Sequence, residues 1–363
     1  MDEQKTYKVI QWCTGSIGQI SIRHFFNTPA FELVGAYVTS EAKHGKDAGE
    51  IAGIDRMDVQ CTIKKDEILA LDADAVNYAP LYRDLDDMEA ILRSGKNIVT
   101  PIGFAYPEAR EPGEAERLEA ACQAGGTSLH GAGIHPGFIG DLAPLTFSRL
   151  MSRIDQVIVT EIVYMREHPS YEMTFPGLGF GRDPIEAVAD PSPLIQTMDS
   201  IFKESIAMLA AGLGIAVDEH TNSLEVAVSN EDLTVRAGFI PAGTVAGMHH
   251  RWEALSDGFP VIVFQSFWRM GDALTPDWNF GTPKYIIEFK GEPDTRVVLE
   301  PTSPDMTGDV GFTGRRWTAL SAVNMIPHVV EAPPGIQTHL DMPLGTPRGL
   351  VRPGQKNWVP SGA

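Results

Sequence analysis

The segment Val9-Ile10-Gln11-Trp12-Cys13-Thr14-Gly15-Ser16-Ile17-Gly18 constrains the chain more than any other. The apolar run Tyr7 to Trp12 reads as a short buried strand, and Gly15 to Phe26 as a helix that presents Ile22, Phe25 and Phe26 on one face. The turn between them matches the dinucleotide fingerprint at its second and third glycines and carries Cys13 in place of the first. Gly15 lets backbone N–H groups approach a pyrophosphate at the positive end of the helix. Gly18 lets the helix lie close to the strand. Thr14, Gly15, Ser16, Ile17 and Gly18 are therefore expected to bind a dinucleotide.

The rest of the first ~140 residues supports that reading, because strand and helix alternate as a doubly wound parallel sheet requires. Strands are predicted at Phe31 to Val38, Ala73 to Tyr78, Asn97 to Thr100 and Thr127 to Leu129. Helices fall at Asp84 to Arg93, with Leu85, Met88 and Leu92 inward and Gly95 as the stop, and at Glu111 to Ala124. After Asp141 the texture changes to strands with short connections: Val157 to Met165, Leu224 to Val228, Leu233 to Phe239, Thr244 to Leu255, Val261 to Arg269, Tyr285 to Lys290 and Val297 to Glu300. These predict an open antiparallel sheet beside one long helix, Pro193 to Leu213, whose core stripe is Phe202, Ile206, Leu209 and Leu213. The expected organisation is a Rossmann domain over 1–141, completed by a returning helix at about 318–340, and an α+β domain over 142–317. A proline- and glycine-rich tail from 341 to 363 reads as irregular.

Composition narrows the function. The 363 residues carry 29 Lys and Arg against 48 Asp and Glu, a net charge of −19, which works against binding nucleic-acid phosphates. The polar start MDEQKTYKVI has neither the basic nor the apolar region of a secretory signal, and the longest apolar run, Ile206 to Val217, falls short of the ~20 residues of a membrane span. Cys13, Cys61 and Cys122 are too few and too scattered for a disulfide framework or a metal clip, so a cytoplasmic protein with no membrane partner is expected. His249 and His250 alternate across a strand and cannot share a metal; no metal site is expected. Glu161 reads as an ordinary outward-facing residue of an apolar strand.

Ligand contacts in a doubly wound sheet come from the carboxyl ends of strands. After the second strand, Thr39, Ser40 and Lys43 suit the 2′-phosphate of NADP, with Glu41 beside them as the contrary feature that would suit NAD. Ala79 and Pro80 follow the next strand, and Thr100, Pro101, Ile102 and Gly103 the one after. Gly131-Ala132-Gly133-Ile134-His135-Pro136-Gly137-Phe138 sets a histidine between glycines and a proline, a context unlike that of a core residue. His135 is the first candidate proton donor, with Tyr106 and Tyr171 next, because an imidazole with a pKa of ~6.5 serves near neutral pH. Phe138, Met165 and Tyr171, together with Ile102 and Gly103, are expected to line an apolar substrate pocket.

These segments, with Thr318-Ala319-Leu320-Ser321-Ala322-Val323-Asn324, resemble the dihydrodipicolinate-reductase-like family that includes 2,4-diaminopentanoate dehydrogenase and the native amine dehydrogenases. The resemblance runs from the glycine turn to Ala332-Pro333-Pro334-Gly335-Ile336. It implies a Rossmann domain, a substrate and dimerisation domain, a nicotinamide cofactor contacted also by Asn324, a homodimer, and reduction of C=N or C=O between the domains. Amine dehydrogenases of this family place a Glu a few residues before a Tyr-Pro pair, where it holds ammonia or the iminium. Here Tyr106-Pro107 is preceded by Ile102 and Gly103, with Glu108 just after the pair. The expected activity is NADPH-dependent reduction of C=O or C=N in a hydrophobic small molecule. Reductive amination with a substituted ammonium site, or NADP sensing without turnover, are the alternatives.

Overall fold

The computed structural model describes residues 5–110, 113–278, 280–301 and 310–346. In chain order these form β1 (Tyr7–Trp12), α1 (Ser16–Asn27), β2 (Phe31–Tyr37), α2 (Ala48–Ala52), β3 (Cys61–Thr62), α3 (Lys65–Leu69), β4 (Ala75–Tyr78), α4 (Leu85–Arg93), β5 (Asn97–Thr100), α5 (Glu114–Gly125) and β6 (Ser128–Gly131). There follow α6 (Leu142–Phe147), β7 (Arg153–Tyr164), α7 (Pro184–Ala189), α8 (Pro193–Leu213), β8 (Glu219–Ser229), β9 (Leu233–Val235), β10 (Gly238–Ile240), β11 (Val245–Ser256), β12 (Phe259–Arg269), β13 (Leu274–Thr275), β14 (Lys284–Glu292) and β15 (Thr295–Leu299). The last elements among the described residues are α9 (Val310–Val323), α10 (Ile326–Glu331) and β16 (Gly335–Gln337). Two compact units result: the described residues up to Gly137 together with those from Arg315 onward, and Phe138–Gly314.

The first unit is a seven-stranded parallel sheet in the order β16-β6-β5-β4-β1-β2-β3. The order reverses between β1 and β4, the place where sheets of this kind bind ligands at their carboxyl edge. Buried Ile10, Trp12, Val76, Tyr78 and Ile98 fill one core cluster, packed against Met88, Ile91 and Leu92 of α4. Ile22 and Phe25 of α1 are buried as predicted, whereas Phe26 is 37% exposed at the rim. Asp84 caps α4 by accepting from the N–H groups of Asp86 and Asp87, and Gly95 follows the helix at φ 83°. The predicted helix from Glu111 begins at Glu114; residues 111 and 112 lie outside the described set.

The second unit is built on a sheet in the order β13-β8-β11-β12-β7-β14-β15. Its pairs are antiparallel except β12 with β7, so the sheet is mixed where a uniformly antiparallel one was predicted. The predicted strand Leu233 to Phe239 is instead a hairpin of β9 and β10, turning at Arg236 and Ala237. Helix α8 starts with Pro193, stops at Gly214 in the left-handed conformation, and buries Phe202, Ile206 and Leu209, with Leu213 only half-buried. Phe202 stacks on Trp252 with ring centroids 4.2 Å apart and meets Phe264 edge-on. Glu161, predicted to face outward, is buried and accepts from Trp268 Nε1 at 3.2 Å.

The single helix predicted from Thr318 to Val330 is two, α9 and α10, with Pro327 in the first turn of the second. The tail expected from Asp341 is described as far as residue 346, where Thr338 Oγ1 donates to Asp341 at 2.6 Å; the remainder, 347–363, lies outside the described residues. Among the described residues no helix is long and apolar enough to cross a membrane.

Candidate active site

The first unit concentrates its candidate residues at the carboxyl edge of its sheet. Gly15 is the N-cap of α1; no side chain caps the helix and its first turn holds no acidic residue. A Cβ on Gly15 would meet no atom within 4 Å, so the space before the helix N-terminus is open. A Cβ on Gly18 would stand 2.2 Å from the Cys13 carbonyl oxygen, so only glycine permits this approach of helix and turn. An open, uncapped N-terminus with no acidic residue in its first turn suits a pyrophosphate, and the residues Thr14 to Gly18 fit a dinucleotide.

Cys13, at the position of the missing first glycine, has φ 68°. This left-handed conformation is disfavoured for a residue with a Cβ. Its N–H donates to the Tyr37 carbonyl at 2.9 Å, and its carbonyl accepts from Gln11 Nε2 at 2.9 Å. Gln11 is fixed in turn by Asn77 of β4, whose Nδ2 donates to Gln11 Oε1 at 2.7 Å. Burial raises the Cys13 thiol pKa to about 11, leaving it protonated and unreactive near neutral pH.

Thr39 and Ser40 are exposed where β2 ends, and the half-buried Lys43 closes the short turn Glu41–Lys43 that follows. Lys43 Nζ reaches back to the glycine turn, donating to the Thr14 carbonyl at 2.9 Å and to Thr14 Oγ1 at 3.1 Å. Ala79 donates its N–H to the Trp12 carbonyl at 3.1 Å, so Ala79 and Pro80 lie beside the same turn. Asn324, half-buried, sits at the junction of α9 and α10.

Beyond β5 the chain folds tightly. Thr100 is buried and its Oγ1 accepts the Ile102 N–H at 3.3 Å; Gly103 and the buried Phe104 both have positive φ, 96° and 62°. The Arg110 guanidinium lies 4.3 Å over the Phe104 ring, anchoring the segment that carries Tyr106. Tyr106 is half-buried, and burial first, then the charges of Glu108 and Asp341, raise its pKa. Glu108 itself is exposed.

The loop after β6 presents His135, half-buried, between glycines that tolerate no side chain. A Cβ on Gly131 would lie 2.3 Å from the Gly103 carbonyl oxygen, and one on Gly137 would lie 2.3 Å from the Gly133 nitrogen. Two histidines that sequence reasoning did not single out brace this loop. His339 Nε2 donates to the Gly137 carbonyl at 2.6 Å, and His130 Nδ1 donates to the Gln337 carbonyl at 2.8 Å, the two rings meeting edge-on at 4.7 Å. Burial lowers the His130 pKa to about 3, so its ring is neutral.

The second unit carries the remaining candidates. Met165 is buried in its core with Leu178 and Phe180, whereas Phe138 and Tyr171 are 37% and 60% exposed. Tyr171 packs on Phe175 with centroids 5.0 Å apart, in a segment that continues through the turn Met173–Gly177.

Comparison with known proteins identifies the relatives of this arrangement. The model of the 2,4-diaminopentanoate dehydrogenase C-terminal domain matches residues 143–356. An amine dehydrogenase of Streptomyces virginiae is 30% identical over 356 residues, covering 92% of this chain and 96% of that protein. The 2,4-diaminopentanoate dehydrogenase of Acetoanaerobium sticklandii is 26% identical over 303 residues, covering 82% and 81%. The solved structure of amine dehydrogenase from Mycobacterium smegmatis has the same fold, with a TM-score of 0.78 at 20% identity over 94% of this chain and 97% of that one. These relatives, dehydrogenases by name, make the protein an oxidoreductase. By a family model spanning more than half its length and a relative matched almost end to end, the chain belongs to the 2,4-diaminopentanoate dehydrogenase family, which includes amine dehydrogenases.

Proposed function

We propose that the protein reduces a C=O or C=N bond of a hydrophobic small molecule with NADPH, and that His135 supplies the proton. The observation that carries this reading is the open, uncapped N-terminus of α1 at Gly15 with Lys43 hydrogen-bonded to the adjoining Thr14. Thr14, Gly15, Ser16, Ile17 and Gly18 would hold the pyrophosphate, and Thr39, Ser40 and Lys43 the 2′-phosphate. Ala79, Pro80, Thr100, Pro101 and Asn324 would hold the rest of the cofactor. Bound there, the cofactor supplies hydride to the electrophilic carbon of the substrate.

The chain's own contribution is the complementary proton. As the carbon gains hydride, its oxygen or nitrogen gains charge, and the His135 imidazolium would release a proton to that atom; Tyr106 or Tyr171 is the second candidate. Ile102, Gly103, Phe138, Met165 and Tyr171 would contact the apolar part of the substrate. We further infer a cytoplasmic homodimer with no membrane or nucleic-acid partner. The net charge of −19 disfavours nucleic acid, and Val298, on the edge strand β15, leaves an apolar side chain 41% exposed.

A second reading, reductive amination, is supported by the amine dehydrogenases among the relatives and by Glu108, exposed and close enough to Tyr106 to raise its pKa. One experiment decides between them: NADPH oxidation with a panel of hydrophobic ketones, aldehydes and cyclic imines, with and without concentrated ammonium. Equal rates without ammonium support the first reading. Oxidation that requires ammonium and yields an amine overturns it in favour of the second, and Glu108→Ala would then abolish that ammonium-dependent oxidation.

A further inference from the structure

Gln11 and Asn77 are register partners on β1 and β4, the two strands between which the sheet order reverses. Both side chains are buried. Neither is needed to complete the sheet, whose backbone groups are already paired along the strands. An apolar side chain would satisfy such a position, so two buried amides require another reason. We propose that this amide pair is a positioning device that lets cysteine replace the first glycine of the cofactor turn. The proposal rests on the dinucleotide reading of that turn.

The network fixes which way each amide points. Asn77 Nδ2 donates to Gln11 Oε1 at 2.7 Å, which leaves Gln11 Nε2 to face carbonyls: Cys13 at 2.9 Å, Trp12 at 3.2 Å and Asn77 at 3.3 Å. The shortest contact is to the residue held at φ 68°. A glycine occupies that region freely, whereas a residue with a Cβ leaves it unless its neighbours hold it there. The Cys13 carbonyl is also the atom that a Cβ on Gly18 would meet at 2.2 Å, and a Cβ on Gly18 would lie 3.0 Å from Gln11 Nε2. One oxygen thus joins the strained residue, the buried amide and the first turn of α1. If it swung away, the N–H groups at the head of α1 would shift with it. The support is uncharged, so it fixes the turn without placing a carboxylate against the pyrophosphate.

The test is a double-mutant cycle on the full chain, reading NADPH affinity from its fluorescence change on binding and thermal stability in parallel. Gln11→Met removes the amide at similar size; Cys13→Gly removes the conformational penalty. Gln11→Met is expected to weaken NADPH binding tenfold or more with Cys13 present and less than threefold when Cys13→Gly accompanies it. An equal loss in both backgrounds overturns the proposal, since the amides would then serve the sheet at large, and so does a loss below threefold in the native background. If Gln11→Met alone is not recovered folded, the double variant decides: folded and binding supports the proposal, unfolded overturns it. If the native protein binds neither NADPH nor NADH, it is the dinucleotide reading that fails. The amide pair is then judged on Tm, where suppression of the Gln11→Met loss by Cys13→Gly supports support of the turn and an equal loss overturns it.

Discussion

An imidazole works as a proton donor when the main chain around it holds one shape, and the loop of His135 is held from two sides. Gly131, Gly133 and Gly137 are packed too closely for any side chain, and His339 donates to the Gly137 carbonyl at 2.6 Å. His135→Ala should therefore lower kcat by about 10²–10⁴-fold, the usual worth of a general acid, while NADPH affinity stays within threefold. A kcat loss under tenfold removes His135 from the role. Lys43 is tied to the glycine turn rather than extended into solvent. Lys43→Asp should shift the NADPH to NADH preference at least tenfold toward NADH, measured as the ratio of the two kcat/KM values; an unchanged ratio contradicts the 2′-phosphate assignment. The tight turn at Gly15 and Gly18 and the glycine-hemmed backbone of the loop that carries His135 were legible in the sequence because each lies in a local motif. Gln11, Asn77, His130 and His339 were not, because their roles come from partners 66 or about 200 residues away that only the folded sheet brings together.

At the scale of elements, what the sequence signalled was periodicity, and what it hid was direction. The strands β11 and β12 were legible as apolar runs, and the Asp257-Gly258 turn, both residues at positive φ, joins them. The parallel pairing of β12 with β7 depends on where a strand about 100 residues earlier has been left, and no local pattern records that. Helices were read well where caps were explicit, as at Pro193 and Gly214 of α8, and less well at Pro327, whose missing N–H breaks an otherwise continuous apolar helix into α9 and α10. Helix α8 also permits a direct test of packing. Phe202 is buried, stacked on Trp252 and edge-on to Phe264, so Phe202→Ala leaves a cavity that its neighbours cannot close. A loss of about 3–5 kcal/mol is expected in urea unfolding. A loss below about 1 kcal/mol, the scale of an exposed substitution, contradicts the assignment of Phe202 to the core.

For the molecule as a whole, the fold class was legible because strand-helix alternation, and then its absence, is a property of long stretches that survives errors at every boundary. Stability against acid follows from a feature shared by both units. Each buries a neutral histidine: His130 in the first, with a pKa near 3, and His250 in the second, lowered to about 4. Burial is the main cause in each, helped by His339 beside His130 and by His249 beside His250; at His250 it outweighs Asp199 at 3.7 Å. An unfolded histidine takes up a proton near pH ~6.5, which the folded chain refuses until about pH 3 or 4. Between these limits the unfolded state binds more protons, so stability is full above pH ~6.5 and falls as the pH drops, by about 1.4 kcal/mol per pH unit for each histidine. Carboxylates held below their ordinary range by cationic partners, such as Glu114 beside Arg110 and Arg83, act in the same direction at lower pH. The urea midpoint should therefore be markedly lower at pH 5 than at pH 7.5, and unfolding at pH 5 should take up protons, measurable by calorimetry in buffers of different ionisation enthalpy. Unfolding at pH 5 without net proton uptake would show that these histidines are already charged in the folded protein.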